Sequence, residues 1–419
     1  MFDTDNLGRI RPSFARRRGT EGSCCFKELQ REVGRSVLKT RDIVLFATAA
    51  WLSIGLTAAG AQENGPPPAQ AQAPRGSAAA SVVPPQDEAK LRAEHPELYV
   101  LPPVSHAYQP KKTPWGEPDL RGMWPIDSIG GLPLQRPVSM GDRVFLSPDE
   151  LKTRESQMER LREAPEKETK SGKLGMGNWV EETGAGSQTS MVVDPKNGRL
   201  PELTEEGKRL NALGRSSWVR GQTYDWVTDF DSWDRCITRG FPASMLPFRY
   251  NNGVQILQSP GYVVINLEMI HDARIIPIGN RPAPEGVTNW MGVSRGHWEG
   301  NTLVVETDHI RTGAAPLNMA TIGAPPNNTI PMSPQAHVTE RFTLTDPNTL
   351  VYEMTYWDPV IWTAPFTIRA DWTRDQKYAF FEYACHEGDV QVRNYINASH
   401  AQRAKDKGAG GQPPATAAK

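Results

Sequence analysis

The chain has 419 residues, 38 % hydrophobic and 23 % charged, with 36 glycines and 36 prolines. So many helix breakers exclude a helical bundle, a coiled coil or a long solenoid. A mean hydropathy of −0.53 with one apolar stretch near membrane length excludes a polytopic membrane protein. The net charge of −1, with no local basic excess, argues against nucleic acid as a partner.

The apolar stretch, Ile43 to Ala58, follows Arg31, Arg35, Lys39 and Arg41 and ends in Ala59-Gly60-Ala61. A basic flank, a short apolar core and a small-x-small motif predict a signal peptide over residues 1–61, and hence an exported, periplasmic or extracellular protein. A membrane anchor is the competing reading, but the stretch is short for a span. Without the leader the chain carries about −5 and two cysteines, Cys236 and Cys385. An even pair in an oxidising compartment predicts one disulfide. It would close a loop of roughly 150 residues and constrain the unfolded chain by about 4–5 kcal/mol. Two unpaired buried cysteines are the alternative.

Residues 62–105 open with a Pro/Ala/Gln/Gly-rich run and are expected to be a disordered tether, and 401–419 a disordered tail. Residues 106–400 form a single β-rich domain. Ser147-Pro148-Asp149-Glu150 is a capping box that starts a helix reaching about Arg162. Its thin apolar stripe makes it a covering element. A second short helix is expected at Glu205–Leu213. Beyond Ser190 the period becomes two. Met191 to Val193 is a strand, and Trp298–Glu306 is a hairpin with Gly300-Asn301 at its tip. Arg341–Thr345 and Leu350–Trp357 form another, with Leu350, Tyr352, Met354 and Tyr356 on one face. Ala370–Thr373 and Lys377–Cys385 are expected to form a third pair. Hairpins without crossover helices predict a mainly β fold, an antiparallel barrel or curled sandwich with one or two peripheral helices.

Asp119-Leu120-Arg121-Gly122-Met123-Trp124, after Pro114-Trp115-Gly116, resembles the Gly-x-Trp opening of lipocalin-like barrels, where the tryptophan plugs the closed end. Over about 110–395 the chain also resembles an uncharacterised family of secreted bacterial proteins. The stretches that carry this are Pro114–Leu120, Asp234–Gly240, Glu268–Pro277, Ser294–Val305 and Glu382–Gly388. The resemblance implies secretion and a lipocalin-like barrel, but it brings no established catalytic residues.

Candidate chemistry starts on the strand Tyr262–Ile270. Val263, Ile265, Leu267 and Met269 make its apolar face, and Tyr262, Asn266 and Glu268 punctuate the other. In an ordinary sheet the polar side faces water. In a wide barrel it would line the lumen, with Arg274 holding Glu268 ionised as a base. His271-Asp272 marks the turn, where His271 is a candidate proton-transfer group. Glu382 and His386, four residues apart on an expected strand, would sit about 13 Å apart. If Cys385 bonds Cys236, His386 is brought close to Asp234 and Arg235. Arg295 and Trp298 at a hairpin tip suit stacking on a sugar or aromatic ring.

There is no G-x-S-x-G elbow, no phosphate loop and no zinc-type Cys/His spacing, so neither a metal nor a cofactor is expected, the alternative being a divalent ion between the pairs His271-Asp272 and His386-Glu387. The expectation is an exported β-barrel enzyme doing acid–base chemistry, as isomerase, lyase or hydrolase, on a small apolar or glycosidic ligand. Glu268, His271, Arg274 and His386 would be its catalytic groups, and Tyr262, Asn266, Arg295 and Trp298 would bind. A non-catalytic lipocalin-like carrier and a structural envelope protein are the alternatives.

Overall fold

A computed structural model describes residues 88–408, except 164–166, 168–169, 173–183, 218–220, 249, 280–281, 283 and 312–330. All lie in the second of two contact units, Ala71–Lys419. The leader read over 1–61 and most of the tether lie outside the described residues. No helix among those described is long and apolar enough to cross a membrane.

Among the described residues ten antiparallel strands make the body: β1 Gly122–Met123, β2 Val192–Asp194, β3 Val254–Ser259, β4 Tyr262–Leu267, β5 Ala273–Pro277, β6 Val293–Glu299, β7 Thr302–Asp308, β8 His337–Asp346, β9 Thr349–Trp357 and β10 Phe366–Thr373. They form two sheets, in the orders β1-β3-β4-β5 and β2-β10-β9-β8-β7-β6. The sheets touch where Ile278 bridges Gly296, and a side chain at Gly296 would put its Cβ 2.8 Å from Ile278 Cδ1. Only glycine permits that approach. Beyond the end of β10, Asp375 N donates to Met123 O on β1 at 3.1 Å.

The alternation expected of Tyr262–Leu267 holds, with Val263, Ile265 and Leu267 buried. So does the shared face of Leu350, Tyr352, Met354 and Tyr356, which are fully buried. Tyr352 stacks on Trp372 with ring centroids 4.6 Å apart, and Phe342 lies 5.0 Å from Tyr352. Trp124 is wholly buried, its Nε1 donating to Leu120 O at 3.0 Å, with the Arg374 guanidinium 4.4 Å above its ring.

The helices follow their caps. Helix α1 is Glu88–Glu94, α2 Pro148–Arg162, α3 Glu205–Ala212, α4 Cys385–Gly388 and α5 Val390–Gly408. The predicted capping box opens α2: Ser147 N donates to Glu150 Oε2 at 2.8 Å and Glu150 N to Ser147 Oγ at 3.4 Å. Thr204 caps α3 by accepting from Gly207 N at 2.9 Å.

Besides shifts of a few residues at element ends, three departures from the expectation stand out. Helix α1 falls inside the span taken as tether, because Leu91 and Leu98 are buried and Leu98 O accepts from Val144 N and Phe145 N. Helix α5 runs past residue 401 to Gly408. The strand expected at Lys377–Cys385 is absent. Phe381 N donates to the Glu268 carboxylate and Tyr378 N closes a turn onto Asp375 O, so these donors have no ladder to join. β10 pairs instead with β9 and β2.

Candidate functional site

Three chain segments meet beyond the end of β4. They are the loop 231–239, the corner 268–272 and an irregular strap, residues 374–384, that follows β10. A disulfide between Cys236 and Cys385, across 149 residues, ties the first to the third, as the cysteine count predicts. The strap is also held at Glu268. This carboxylate, 1 % exposed, accepts from Gly253 N at 2.8 Å, Tyr378 Oη at 2.6 Å and Phe381 N at 2.5 Å. Gly253 leaves room for this, since a Cβ there would lie 2.6 Å from the Phe380 ring and 2.7 Å from Glu268 Oε2.

Glu268 therefore does not stand on the polar face of β4 beside Arg274. The chain leaves extended geometry at Glu268, whose φ of −65° and ψ of −44° are helical, and the side chain turns inward to the strap. Arg274 pairs in register with Ile265, so it shares the apolar, inward side. There it binds Glu340 through two contacts of 2.8 and 2.5 Å, and reaches Ser294 Oγ at 3.0 Å and Thr307 Oγ1 at 3.2 Å. Its guanidinium lies 4.3 Å over the Phe241 ring. Tyr352 Oη donates to the same glutamate at 2.9 Å. Arg274 and Glu340 thus form a clamp between the two sheets.

The remaining expected residues are scattered. Tyr262 and Asn266 lie on the outer face of β4, with Asn266 Nδ2 3.5 Å from Gln255 Oε1. Arg295 pairs with Asp308 at 2.5 Å, and Trp298 packs against the core without stacking on that arginine. His386 is exposed at the start of α4. Both it and Asp234 act on the Asp389 carboxyl. Burial raises that carboxyl and Asp234 adds to the rise, while His386 lowers it.

His271 is brought into a cluster. Its ring lies 6.2 Å from Tyr383, edge to face, and it is exposed. Ile270 and His271 both take positive φ, 60° and 55°, as does Cys236 across the corner at 55°. A β-branched residue in that region is a backbone outlier, the kind of strain that collects at functional sites. Asp272 follows. Burial pushes its carboxyl up from 3.8 to about 6, only partly offset by Thr238 Oγ1, which donates to it at 2.9 Å, and by the charge of His271. In the same loop burial and then the charge of Asp234 raise Asp231.

Around this corner stands a small aromatic cluster separate from the main core: Trp233, Phe248 and Met269, with Tyr250, Ile270 and Tyr383 packed on it. Trp233 and Phe248 meet edge to face at 4.7 Å, Phe248 and Tyr250 at 5.0 Å. Trp233 Nε1 donates to Tyr383 Oη at 3.2 Å. Arg239 lies beneath, 5.6 Å from the Trp233 ring and 5.1 Å from that of Phe248.

Sequence reasoning passed over Trp233, Arg239, Phe248 and Tyr383. The available signal was the cysteine pair itself: Trp233 precedes Cys236 by three residues and Tyr383 precedes Cys385 by two. Among the described residues no group of three or more His, Cys, Asp or Glu is placed to hold a metal ion. No protein-family model matches the chain, and no curated protein or solved structure matches it either.

Proposed function

We propose that this is an exported enzyme that carries out acid–base chemistry on a small ligand with an apolar or glycosidic body. The proton would pass through Asp272 and His271 at the strained corner. The rings of Trp233, Phe248, Tyr250 and Tyr383 would hold the ligand. The observation that carries this reading is the coincidence at residues 270–272 of two left-handed non-glycine residues, an exposed histidine and a carboxyl raised to about 6. A group that titrates near the working pH is suited to giving and taking a proton in turn. Isomerase, lyase and hydrolase activities all fit that pair.

The same proposal includes the finer architecture and the compartment. The bridge of Ile278 to Gly296 and the hydrogen bond of β1 to Asp375 after β10, with buried Trp124 beneath Arg374, favour a barrel-like closure of the lipocalin type. The disulfide favours an oxidising compartment, and with it the secreted family that the chain resembles.

The test is turnover of p-nitrophenyl glycosides and esters, and of hydroxy acids followed by NMR, by wild type, His271→Ala and Asp272→Asn. Each substitution is expected to cost roughly 100-fold or more. Unchanged turnover in both would remove the pair from the mechanism. A carrier is the second reading, and the engagement of Glu268 and Arg274 elsewhere favours it. It predicts ligand binding with no turnover by wild type.

A further inference from the structure

Most buried arginines of the protein meet a carboxylate. Arg274 has Glu340 at 2.5 Å, Arg143 has Glu150 at 2.6 Å and Arg369 has Asp371 at 3.5 Å. Arg136, which bonds to Thr189 and backbone carbonyls, still feels the charge of Asp142. Arg239 differs. It is 3 % exposed, and its hydrogen bonds run to two backbone carbonyls, Leu246 O at 2.6 Å and Pro247 O at 3.4 Å. Its Nε is buried without a partner, as are those of Arg143 and Arg274, but among the described residues no carboxylate pairs with its guanidinium. Burial lowers its pKa to about 10, so it is still a cation at neutral pH.

A buried cation with no counter-charge costs several kcal/mol unless something completes it. Here it lies under the aromatic cluster of the candidate site, not in the inter-sheet core. Tyr383 Oη accepts from Trp233 Nε1, which leaves its own proton to donate. A guanidinium over the rings of Trp233 and Phe248 and a phenol hydroxyl at the indole's edge form the donor set for a planar anion on an apolar body.

We propose that Arg239 and Tyr383 Oη form an anion-binding subsite that takes the carboxylate of a small aromatic or apolar acid. This rests on reading the corner as a ligand site, and it specifies the substrate class. A monocarboxylate fits better than a phosphate dianion. One guanidinium neutralises one charge, and Asp231 and Asp234 on the same loop oppose a second.

The probe is benzoate, with benzamide as its neutral counterpart, measured by calorimetry and by Trp fluorescence at fixed ionic strength. Benzoate is expected to bind roughly tenfold or more tighter than benzamide, the value of a hydrogen bond to a charged group. Arg239→Lys loses the fork and most of that preference. If this variant does not fold, Tyr383→Phe decides, since it removes one hydroxyl and should weaken benzoate about tenfold and benzamide clearly less. Equal binding of the two probes, binding of neither, or benzoate affinity unaffected by the substitutions overturns the subsite. His271→Ala should leave benzoate binding intact. Loss of turnover with benzoate binding kept would therefore separate the fate of the subsite from that of the acid–base reading.

Discussion

Two regions of this protein bury a positive charge among aromatic rings, and they treat it differently. Between the sheets, Arg274 is closed off by Glu340, Ser294 and Thr307, and Tyr352 completes the glutamate. At the corner, Arg239 has two carbonyls and no paired carboxylate, close to strained backbone and raised carboxyls. The first arrangement is what a fold needs in order to bury charge. The second is poorly optimised for stability, and proteins keep such departures from local rules mostly where they act.

The largest effect should come from breaking the ion-paired region. Arg274→Met leaves Glu340 buried without its counter-charge, and a loss of about 3–5 kcal/mol is expected in urea unfolding. Arg239→Met abandons no carboxylate and should cost less than half as much. Equal losses would erase the distinction between the two regions.

The disulfide is the next largest. Cys236→Ser with Cys385→Ser frees a loop of 149 residues and should cost about 2–5 kcal/mol. Because Tyr383 and Trp233 sit within a few residues of the two cysteines, benzoate affinity should fall with it. In Arg274→Met it should not. Parallel loss in both variants would mean that the corner merely reports global stability.

The uneven legibility of the sequence follows the same division. Strands of the core could be read because period-two burial is a local rule: Val263, Ile265 and Leu267 obey it, and so do Leu350, Tyr352, Met354 and Tyr356. The rule fails one residue past the strand, and Glu268 is that residue. Extending the alternation to it placed the side chain on the wrong face. Arg274 was misplaced for a different reason. Its side is set by its pairing with Ile265, a register that sequence alone does not supply. Cysteine counting found the disulfide, while Arg239 lies in a loop with no periodicity and is made notable only by what fails to meet it. The strap looked like a strand because its aromatics are spaced like one, yet its donors go to a carboxylate and a turn.

A smaller effect separates the raised carboxyl from the rest of the corner. The fold favours the neutral form of Asp272, with its pKa raised from 3.8 to about 6. Its contribution is therefore fully present below about pH 4 and is lost as pH rises through about 6. Asp272→Asn still accepts from Thr238 but does not titrate. The stability of wild type relative to this variant should fall by roughly 2–3 kcal/mol between pH 4 and pH 7 in urea unfolding. A pH-independent difference would show that the carboxyl is not perturbed, and the proton-transfer reading would lose its principal support.

The smallest effect has the opposite sign. His271 holds a φ of 55° with an exposed side chain whose one ring contact is the edge of Tyr383. A left-handed conformation costs a residue with a Cβ about 1–2 kcal/mol, and glycine adopts it freely but gives up chain entropy on folding. Since little packing is lost, His271→Gly should be neutral or more stable by up to about 1 kcal/mol, seen as a small rise in Tm. If the corner existed only to fold, such a residue would have no reason to be histidine. Stability kept or gained together with loss of turnover on the p-nitrophenyl panel is the combination a working site predicts. A clear loss of stability would instead make His271 a structural part of the corner, and the contrast with the inter-sheet core would then rest on Arg239 alone.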